Sequence, residues 1–262
     1  TGYDAILVVG NAEKPVYLYI NEDRMEIRDA SHLWGKGDIY ETQKQIKSEV
    51  DGKCSAACIG LGGENRIHYA GVMNDEGRAA GRCGMGALMG AKNLKALVVS
   101  GSRKAEIANP GRLKEAISQA RDAVESNAYT QAYKLYGTNI YMDLGMRLGD
   151  TPAKYFTRSV FPAATIHGPA FRERYRMSNY ACTGCPIGCG RTIKEFSKDI
   201  KQVDGPEYET VAAFGPLCMN FDMESIVMAN HLCNAHGIDT ISTGVSIAVS
   251  YTHLTLPTNR EV

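Results

Sequence analysis

The sequence lacks an excess of charge of either sign. Its 262 residues include 29 Lys and Arg and 29 Asp and Glu, so the formal net charge is zero. Binding to nucleic acid or to an anionic membrane surface draws on a basic excess, and this composition provides none. We therefore expect no nucleic acid and no membrane among the partners of the chain.

Long apolar runs are also missing. No stretch of the sequence approaches the roughly 20 consecutive apolar residues that a membrane-spanning helix needs. The opening residues, Thr1–Asp4, show no basic segment followed by an apolar one, so they do not resemble a secretory signal. Because the chain starts without Met, we expect an internal fragment of a longer protein. Because nothing in the sequence argues for export, we expect that protein in the cytoplasm. With 44% hydrophobic and 22% charged residues, the composition is that of a globular chain with a core.

The front of the chain is rich in strand signals. Short apolar or alternating runs, separated by turn-forming residues, predict strands at Ala5–Val9, Val16–Ile20, Met25–Arg28, Ser55–Ile59 and Leu94–Val99. Asp38, followed three residues later by Glu41, forms a capping box and predicts a helix that runs to about Val50.

The pattern changes near Ile107. Asn109 is a good N-cap, and Pro110 suits the first position of a helix. Helical spacing then continues through Leu113, Ala116, Ile117, Ala120 and Val124. The sequence thus predicts an α+β protein, with a β-rich part over residues 1–107 and a mostly α-helical part over residues 108–250.

The last residues depart from this pattern. Ile238–Val249 is largely apolar and predicts the beginning of a buried helix. Tyr251–Val262 shows no helical pattern and contains Pro257. We interpret residues 251–262 as a non-native tail, a read-through of a sequencing adapter, and leave them out of the fold prediction. A genuine disordered terminus is the alternative.

Three of the eight cysteines are crowded into eight residues. Cys182, Cys185 and Cys189 form a C-x2-C-x3-C pattern with glycines between them, and such thiolates favour an iron–sulfur cluster or zinc. A four-iron cluster usually takes four cysteines, so one ligand is missing, and Cys218 is a local candidate. Radical-SAM enzymes have the reverse spacing, and zinc ribbons need a second C-x2-C pair, which the sequence lacks. Three buried free cysteines are the structural alternative.

A second signal is the glycine-rich segment Arg78–Lys95. Its glycines let a backbone approach a phosphorylated ligand, and Arg78 and Arg82 suit a phosphate or a planar heterocycle. The segment fails the dinucleotide fingerprint, because Met89 stands where the third glycine belongs, and it fails the P-loop pattern. A tight helix–strand packing site is the alternative.

Taken together, these segments resemble the aldehyde ferredoxin oxidoreductase family. The stretches that carry the resemblance, in this order along the chain, are Arg78–Val99, Ala181–Arg191, Gly205–Pro216 and Cys233–Gly244. The shorter stretches Pro15–Asn21 and Ala30–Gly35 also fit. The resemblance implies that residues 1–107 are the C-terminal portion of an N-terminal pterin-binding domain.

The resemblance also implies the cofactors and partners. Members hold tungsten, or sometimes molybdenum, between two pterins, with Mg²⁺ bridging the pterin phosphates. A 4Fe-4S cluster passes electrons to ferredoxin, and a small aldehyde or carboxylic acid is the substrate. A homodimer is among the expected assemblies.

Site residues follow from the resemblance by position. Cys182, Cys185 and Cys189 match the first three cluster ligands, and the fourth belongs to a region outside this chain. The residues that match the pterin-contacting positions are Arg78, Ala79, Gly81, Arg82, Asn234, Ile238 and Asp239. Asn234 stands where some members have Asp, and Ile238 replaces a Leu.

Glu207 matches a glutamate near the metal, and we predict that it orients water or relays a proton. A helix N-terminal carboxylate stabilised by the helix dipole is the structural alternative. Two other functions remain open: a pterin-free iron–sulfur electron-transfer module and a zinc-stabilised scaffold. Because part of the site lies outside the chain, we expect the chain alone to be inactive and to bind the cluster poorly.

Overall fold

A computed structural model describes residues 1–254 apart from Asp23 and Glu76. The chain divides into two compact units. The first contains Thr1–Glu106 and Leu232–Asp239, and the second contains Ile107–His231 and the residues from Thr240 on. Helix accounts for 42% and strand for 18% of the chain, which confirms the predicted α+β class.

The first unit is built on a six-stranded mixed sheet. Its strands are β1 (Val16–Ile20), β2 (Met25–Asp29), β3 (Cys54–Cys58), β4 (Val72–Asn74), β5 (Arg78–Ala80) and β6 (Leu94–Ser100). Its helices are α1 (Ile39–Ser48), α2 (Leu61–Glu64) and α3 (Met85–Ala91). The strand order is β2-β1-β6-β3-β4-β5, and β1 and β6 are parallel while the other neighbours are antiparallel.

Burial of alternating side chains gives the first unit its core. The inner strands contribute Tyr17, Tyr19, Ala96 and Val98, and α1 contributes Ile39 and Ile46, all of them buried. The capping box predicted at the start of α1 is confirmed: Asp38 accepts from Glu41 N at 2.9 Å, and Glu41 accepts from Asp38 N at 3.3 Å.

The strand predicted at Ala5–Val9 is wrong. This segment forms no strand, and the side chains of Leu7 and Val9 are 89% and 83% exposed. An apolar run becomes a strand only where a sheet edge pairs with it and a neighbouring face covers it. The other four predicted strands are confirmed within one residue at each end.

A buried ion pair joins α2 to the sheet. Lys95 Nζ on β6 contacts Glu64 Oε1, and both side chains are almost fully buried. The second carboxylate oxygen of Glu64 accepts from Gly35 N at 2.8 Å. The pair therefore ties the end of α2 to both β6 and the loop that precedes α1.

Replacing Lys95 with Met should destabilise the first unit by about 3–5 kcal/mol, because Glu64 would keep a buried charge without its cation. The double variant Lys95→Met/Glu64→Gln should recover part of that loss. Urea unfolding followed by circular dichroism measures both. If the single variant unfolds at the wild-type urea concentration, the ion pair is not the stabilising element we infer.

The second unit is mostly helical. Its helices are α4 (Pro110–Glu125), α5 (Ala128–Tyr136), α6 (Tyr141–Leu148), α7 (Gly168–Arg174) and α8 (Tyr208–Phe214), and short 3-10 turns lie at Thr138–Ile140, Ala163–Thr165 and Pro216–Cys218. An antiparallel sheet has the order β7 (Met177–Tyr180), β8 (Gly190–Lys194) and β9 (Gln202–Asp204). The last helices are α9 (Met223–His236), which runs from the second unit into the first, and α10 (Thr240–Leu254).

The predicted start of α4 is confirmed, because Asn109 Oδ1 accepts from Arg112 N at 3.0 Å and Pro110 is the first helical residue. At the other end, α10 begins at Thr240 and continues to Leu254. Tyr251–Leu254, the first residues of the predicted tail, therefore continue this helix although the sequence shows no helical pattern there. The rest of the predicted tail, residues 255–262, lies outside the described residues.

No described helix is both long and apolar enough to cross a membrane.

Candidate functional site

The glycine-rich segment forms a strand, a loop and a helix in the first unit. β5 pairs with β4 in the register Asn74↔Arg78 and Val72↔Ala80. The chain then turns through Cys83, at φ +72°, and Gly84, at φ +69°, into α3. Ala79 is exposed on β5, and Arg82 and Cys83 are exposed on the loop. The loop thus presents backbone and a guanidinium to the surface of the unit.

The turn after α9 lies against the same region. Ala70 forms an antiparallel bridge with Ile238, and Gly71 N donates to Gly237 O at 2.9 Å. Asp239 N donates to Tyr69 O at 3.0 Å. These bonds place the sequence motif that ends at Asp239 beside the residues that precede β4, the strand that pairs with β5.

Asp239 is the charged group at this junction. Its side chain is 4% exposed, and one carboxylate oxygen lies 3.8 Å from Arg82 Nε. A Cβ added to Gly81 would lie 3.6 Å from the other oxygen, at ordinary contact distance. At Gly71, an added Cβ would lie 2.9 Å from Gly81 Cα, so the two backbones touch. The structure therefore brings Gly81, Arg82 and Asp239 together.

The remaining residues of the predicted pterin site surround this group. Arg78 is half-buried on β5, and its carbonyl accepts from Asn74 Nδ2 at 3.3 Å. Asn234 is buried in the last turn of α9, where its carbonyl accepts from Gly237 N at 3.2 Å. The side chain of Ile238 packs close to Gly62 in α2, where an added Cβ would lie 2.3 Å from Cγ2. Asn234 and Ile238 thus hold the turn that carries Asp239.

The cysteine motif lies in the second unit, in the loop that joins β7 to β8. Cys185 N donates to Cys182 O at 2.9 Å, and Gly184 and Gly188 have φ of +76° and +64°. Cys182 is exposed, and Cys185 and Cys189 are partly exposed; all three are reduced cysteines. Among the described residues, no three His, Cys, Asp or Glu side chains are gathered closely enough to hold a metal ion. The three thiols lie in one accessible loop but are not close enough together to bind one metal ion.

Cys218, the local candidate for a fourth ligand, has a different environment. Its thiol donates to Ala213 O at 3.3 Å and to Gly244 O at 3.5 Å. Burial raises the pKa of the Cys218 thiol above its ordinary value. A half-buried thiol that donates to carbonyl oxygens favours the protonated form, whereas a metal ligand must be a thiolate.

Arg191, which the sequence did not single out, lies beneath the cysteine loop. It is buried in β8, and its guanidinium donates to four backbone carbonyls: those of Gly188, Gly190, Tyr133 and Lys134. Burial and the charge of Arg172 lower its pKa, while the acidic groups of Glu207 and Cys189 partly oppose that shift. The only feature of the sequence that could have indicated a role for Arg191 is its position two residues after Cys189.

Glu207 is the N-cap residue of α8, but its side chain makes no capping bond to that helix. Instead, Thr138 Oγ1 donates to Glu207 Oε2, and Thr138 in turn accepts from Tyr208 N at 2.9 Å. The half-buried carboxylate is therefore fixed in direction by a threonine from a separate 3-10 turn. Thr138 was also missed by sequence reasoning, because the two residues are 69 positions apart.

Two family profiles match the chain. The profile described as aldehyde ferredoxin oxidoreductase, N-terminal domain, matches residues 1–101, and the one described as domains 2 & 3 of the same enzyme matches residues 115–253. The chain belongs to the aldehyde ferredoxin oxidoreductase family. The resemblance drawn from the four sequence motifs is thereby confirmed.

Curated members of the aldehyde ferredoxin oxidoreductase family are similar over nearly the whole chain. Tungsten-containing aldehyde ferredoxin oxidoreductases of Pyrococcus furiosus and Thermococcus kodakarensis are 43% identical over 256 residues, which is 95% of this chain and 41% of each relative. The aliphatic sulfonate oxidoreductase, WOR-like subunit, of Pyrococcus furiosus is 31% identical over 93% of this chain. The chain spans about two fifths of the length of the curated relatives it matches.

A solved structure has the same fold. The active site complex BamBC of benzoyl coenzyme A reductase, in complex with 1,5 dienoyl-CoA, superposes with a TM-score of 0.77 at 27% identity. The match covers 94% of this chain and 39% of that one. Aldehyde oxidation is therefore not the only chemistry named among proteins that resemble this chain.

Thiol reactivity should separate the family's loop cysteines from the core cysteines. Burial raises the pKa of the Cys58 thiol to about 11, so its thiolate at neutral pH should be about a hundredfold rarer than that of an ordinary cysteine. In the native chain, iodoacetamide should label the exposed Cys83 and Cys182 quickly and leave Cys58 and Cys233 unmodified. Mass spectrometry of the digested chain measures this, and labelling in urea is the control. Native labelling of Cys58 as fast as Cys83 would contradict the described burial.

Proposed function

We propose that this chain forms part of a tungsten-pterin oxidoreductase that converts aldehydes to carboxylic acids or catalyses the reverse reaction. Membership of the aldehyde ferredoxin oxidoreductase family supports an oxidoreductase, and the tungsten-containing relatives support tungsten, with molybdenum as the alternative metal. The observation that carries the proposal is the junction of Gly81, Arg82 and Asp239, which joins two separate family motifs in one surface region.

The residues at this junction fit a phosphorylated pterin. A pterin ring carries N–H donors. A carboxylate such as that of Asp239 can accept hydrogen bonds from them and so fix the orientation of the ring. Its phosphate is an anion that an exposed guanidinium such as that of Arg82 can bind by two parallel bonds. The bare backbone of Gly81 lets a flat ligand approach closely. The other residues that we assign to the pterin site are Arg78, Ala79, Asn234 and Ile238. We also propose that Mg²⁺ binds between the pterin phosphates.

The cysteine loop fits an iron–sulfur cluster by the chemistry of its donors. Cys182, Cys185 and Cys189 are reduced cysteines in one accessible loop, and thiolates are the usual ligands of a 4Fe-4S cluster. These three residues would hold the cluster together with a fourth ligand from outside the chain. Such a cluster supplies one-electron transfer, here toward ferredoxin, in a cytoplasmic protein whose thiols stay reduced.

Glu207 is the residue we propose for proton transfer. The bond from Thr138 occupies one carboxylate oxygen and directs the other, so the carboxylate has a fixed orientation. Oxidation of an aldehyde requires water to lose protons as its oxygen bonds to carbon, and a directed carboxylate can accept one. The structural alternative, a carboxylate that serves only the N-terminus of α8, predicts a different result on substitution.

Replacing Glu207 with Gln in a full-length protein that carries this chain should lower kcat by about a hundredfold or more, since a general base contributes that much. Glu209→Gln is the matched control, because this exposed residue also lies in the first turn of α8 and loses the same charge. Steady-state aldehyde oxidation, normalised to bound metal, measures the effect. Unchanged turnover in the Glu207 variant with intact metal would remove its catalytic role and leave the helix-terminal one.

Cofactor analysis tests the proposed function as a whole. The full-length protein, prepared without oxygen, should contain tungsten or molybdenum, iron and acid-labile sulfide, and it should release a fluorescent pterin on denaturation. Iron without pterin would replace the proposal with a simple electron-transfer module. Zinc without iron would indicate a zinc-stabilised scaffold and would rule out both the oxidoreductase and the electron-transfer module.

A further inference from the structure

The three cysteines lie in a nine-residue connection, residues 181–189, between two short antiparallel strands. β7 and β8 pair in the register Tyr180↔Gly190 and Asn179↔Arg191, so Arg191 lies one pair inside the end of the hairpin. A loop of this length is not held by its turn alone, because each of its residues loses backbone entropy on ordering. Its conformation must therefore be supported from outside.

Arg191 contacts the C-terminal end of that connection and a neighbouring helix. One terminal nitrogen, Nη1, donates to Gly188 O at 3.0 Å and to Gly190 O at 2.8 Å, the residues that flank Cys189. The other, Nη2, donates to Tyr133 O and Lys134 O, each at 2.8 Å. A single buried guanidinium thus joins the end of the cysteine loop to α5.

The acceptors on α5 belong to its last turn, where Tyr133 O also accepts from Gly137 N at 2.8 Å and Lys134 O also accepts from Asn179 Nδ2 at 2.6 Å. These carbonyls carry the negative end of the helix dipole, so a buried cation is favourable there. Gly137 follows the helix, and an added Cβ there would lie 3.1 Å from Cys189 O and 3.6 Å from Arg191 Cζ. The backbone at Cys189, the guanidinium and the end of α5 are therefore in close contact.

We propose that Arg191 is the positioning residue of the cysteine loop: it clamps the carbonyls on either side of Cys189 to the end of α5 and so sets the direction of that thiol. It does not touch the reacting atoms. The clamp itself rests on the described hydrogen bonds, and its consequence for a cluster rests on the function proposed above.

Amide hydrogen exchange of the metal-free chain tests the clamp. In Arg191→Met, exchange over residues 182–190 should become about tenfold faster, because four charged hydrogen bonds are lost. Exchange in β1 and β6 of the first unit should not change. Arg172→Met is the matched control, since this exposed arginine also donates to the last turn of α5, to Leu135 O at 3.2 Å, and should leave the loop unaffected.

Arg191→Lys covers the case in which the Met variant does not fold. A lysine keeps the charge but cannot span four carbonyls, so loop exchange should rise by an intermediate factor. Wild-type exchange in the Lys variant, or in a folded Met variant, would overturn the proposal.

Anaerobic reconstitution with ferrous iron and sulfide gives an independent readout of iron per chain and of the electron paramagnetic resonance signal after reduction. If the wild-type chain takes up iron, both variants should retain several-fold less, and equal retention would overturn the consequence for the cluster. If the wild-type chain takes up none, as expected when the fourth ligand is absent, the same comparison is made in a full-length protein that carries this chain, where equal iron in the wild type and the variants would overturn the consequence for the cluster. The exchange result decides the clamp in either case.

Discussion

Gly90→Ala is expected to prevent the first unit from folding. An ideal Cβ at Gly90 would lie 1.8 Å from Gly63 O and 2.7 Å from Gly63 C, so α3 crosses α2 with their backbones in contact. Both neighbouring atoms belong to the main chain and cannot rotate away. Separating the helices would also move Gly86, where an added Cβ would lie 2.3 Å from Gly71 O. We expect a loss of more than about 4 kcal/mol, most of the stability of an ordinary domain.

Gly111→Ala is the matched control for this prediction. Gly111 lies in the exposed helix α4, where the nearest atom to an added Cβ, Asn109 Oδ1, is 3.7 Å away. Alanine should raise the stability of the second unit by up to about 1 kcal/mol, because glycine is a poor helix former. Thermal unfolding followed by circular dichroism measures both variants. A Gly90 variant that melts within a few degrees of wild type would show that α2 and α3 are further apart than described.

The glycine-rich segment shows how far sequence reasoning reaches. Its glycines gave two competing interpretations, ligand approach and tight packing, and the pattern alone did not separate them. In the structure the two roles belong to different residues: Gly86 and Gly90 face neighbouring backbone, whereas Gly81 faces Asp239. Spacing identifies where small residues are required but not what occupies the space beside each one.

Local signals predicted the elements well, because they act within a few residues. The capping box at Asp38 and the N-cap at Asn109 both fix their helices in the structure. Apolar patterns were less reliable where the covering surface is remote. Leu7 is apolar but exposed, and Leu113 and Ile117 of α4 are 41% and 51% exposed despite their helical spacing. Whether an apolar residue is buried depends on packing partners that a local pattern does not encode.

Buried charges were the largest omission. Lys95 and Arg191 are both buried, although lysine and arginine are expected at the surface unless they are paired. Their partners, Glu64 for Lys95 and four carbonyls for Arg191, are contacts that only the folded chain brings together. Apart from the closeness of Arg191 to Cys189, the sequence gives no signal that distinguishes these two residues from solvated ones.

Asp239→Ala, made in a full-length protein that carries this chain, should lower the affinity for pterin by a hundredfold or more. The lost interaction is a buried, charged hydrogen-bond acceptor, and leaving its ligand donors unsatisfied costs about 2–4 kcal/mol. The measured quantities are pterin released on denaturation and tungsten or molybdenum per chain. Asp29→Asn is the control, because this exposed aspartate of the first unit pairs with Lys14.

Asp239→Asn distinguishes the effect of the carboxylate charge on pterin binding from an effect on the surrounding fold. The bond from Asp239 N to Tyr69 O belongs to the backbone and is unchanged by this substitution, so the turn should keep its place beside the glycine-rich loop. An amide keeps one acceptor but loses the charge that faces Arg82. Pterin content should therefore fall while the melting temperature stays near that of wild type. If the Asn variant retains the wild-type content of pterin and metal, the role of Asp239 is to hold Arg82 and the turn together. Another group must then accept the hydrogen bonds from the pterin ring.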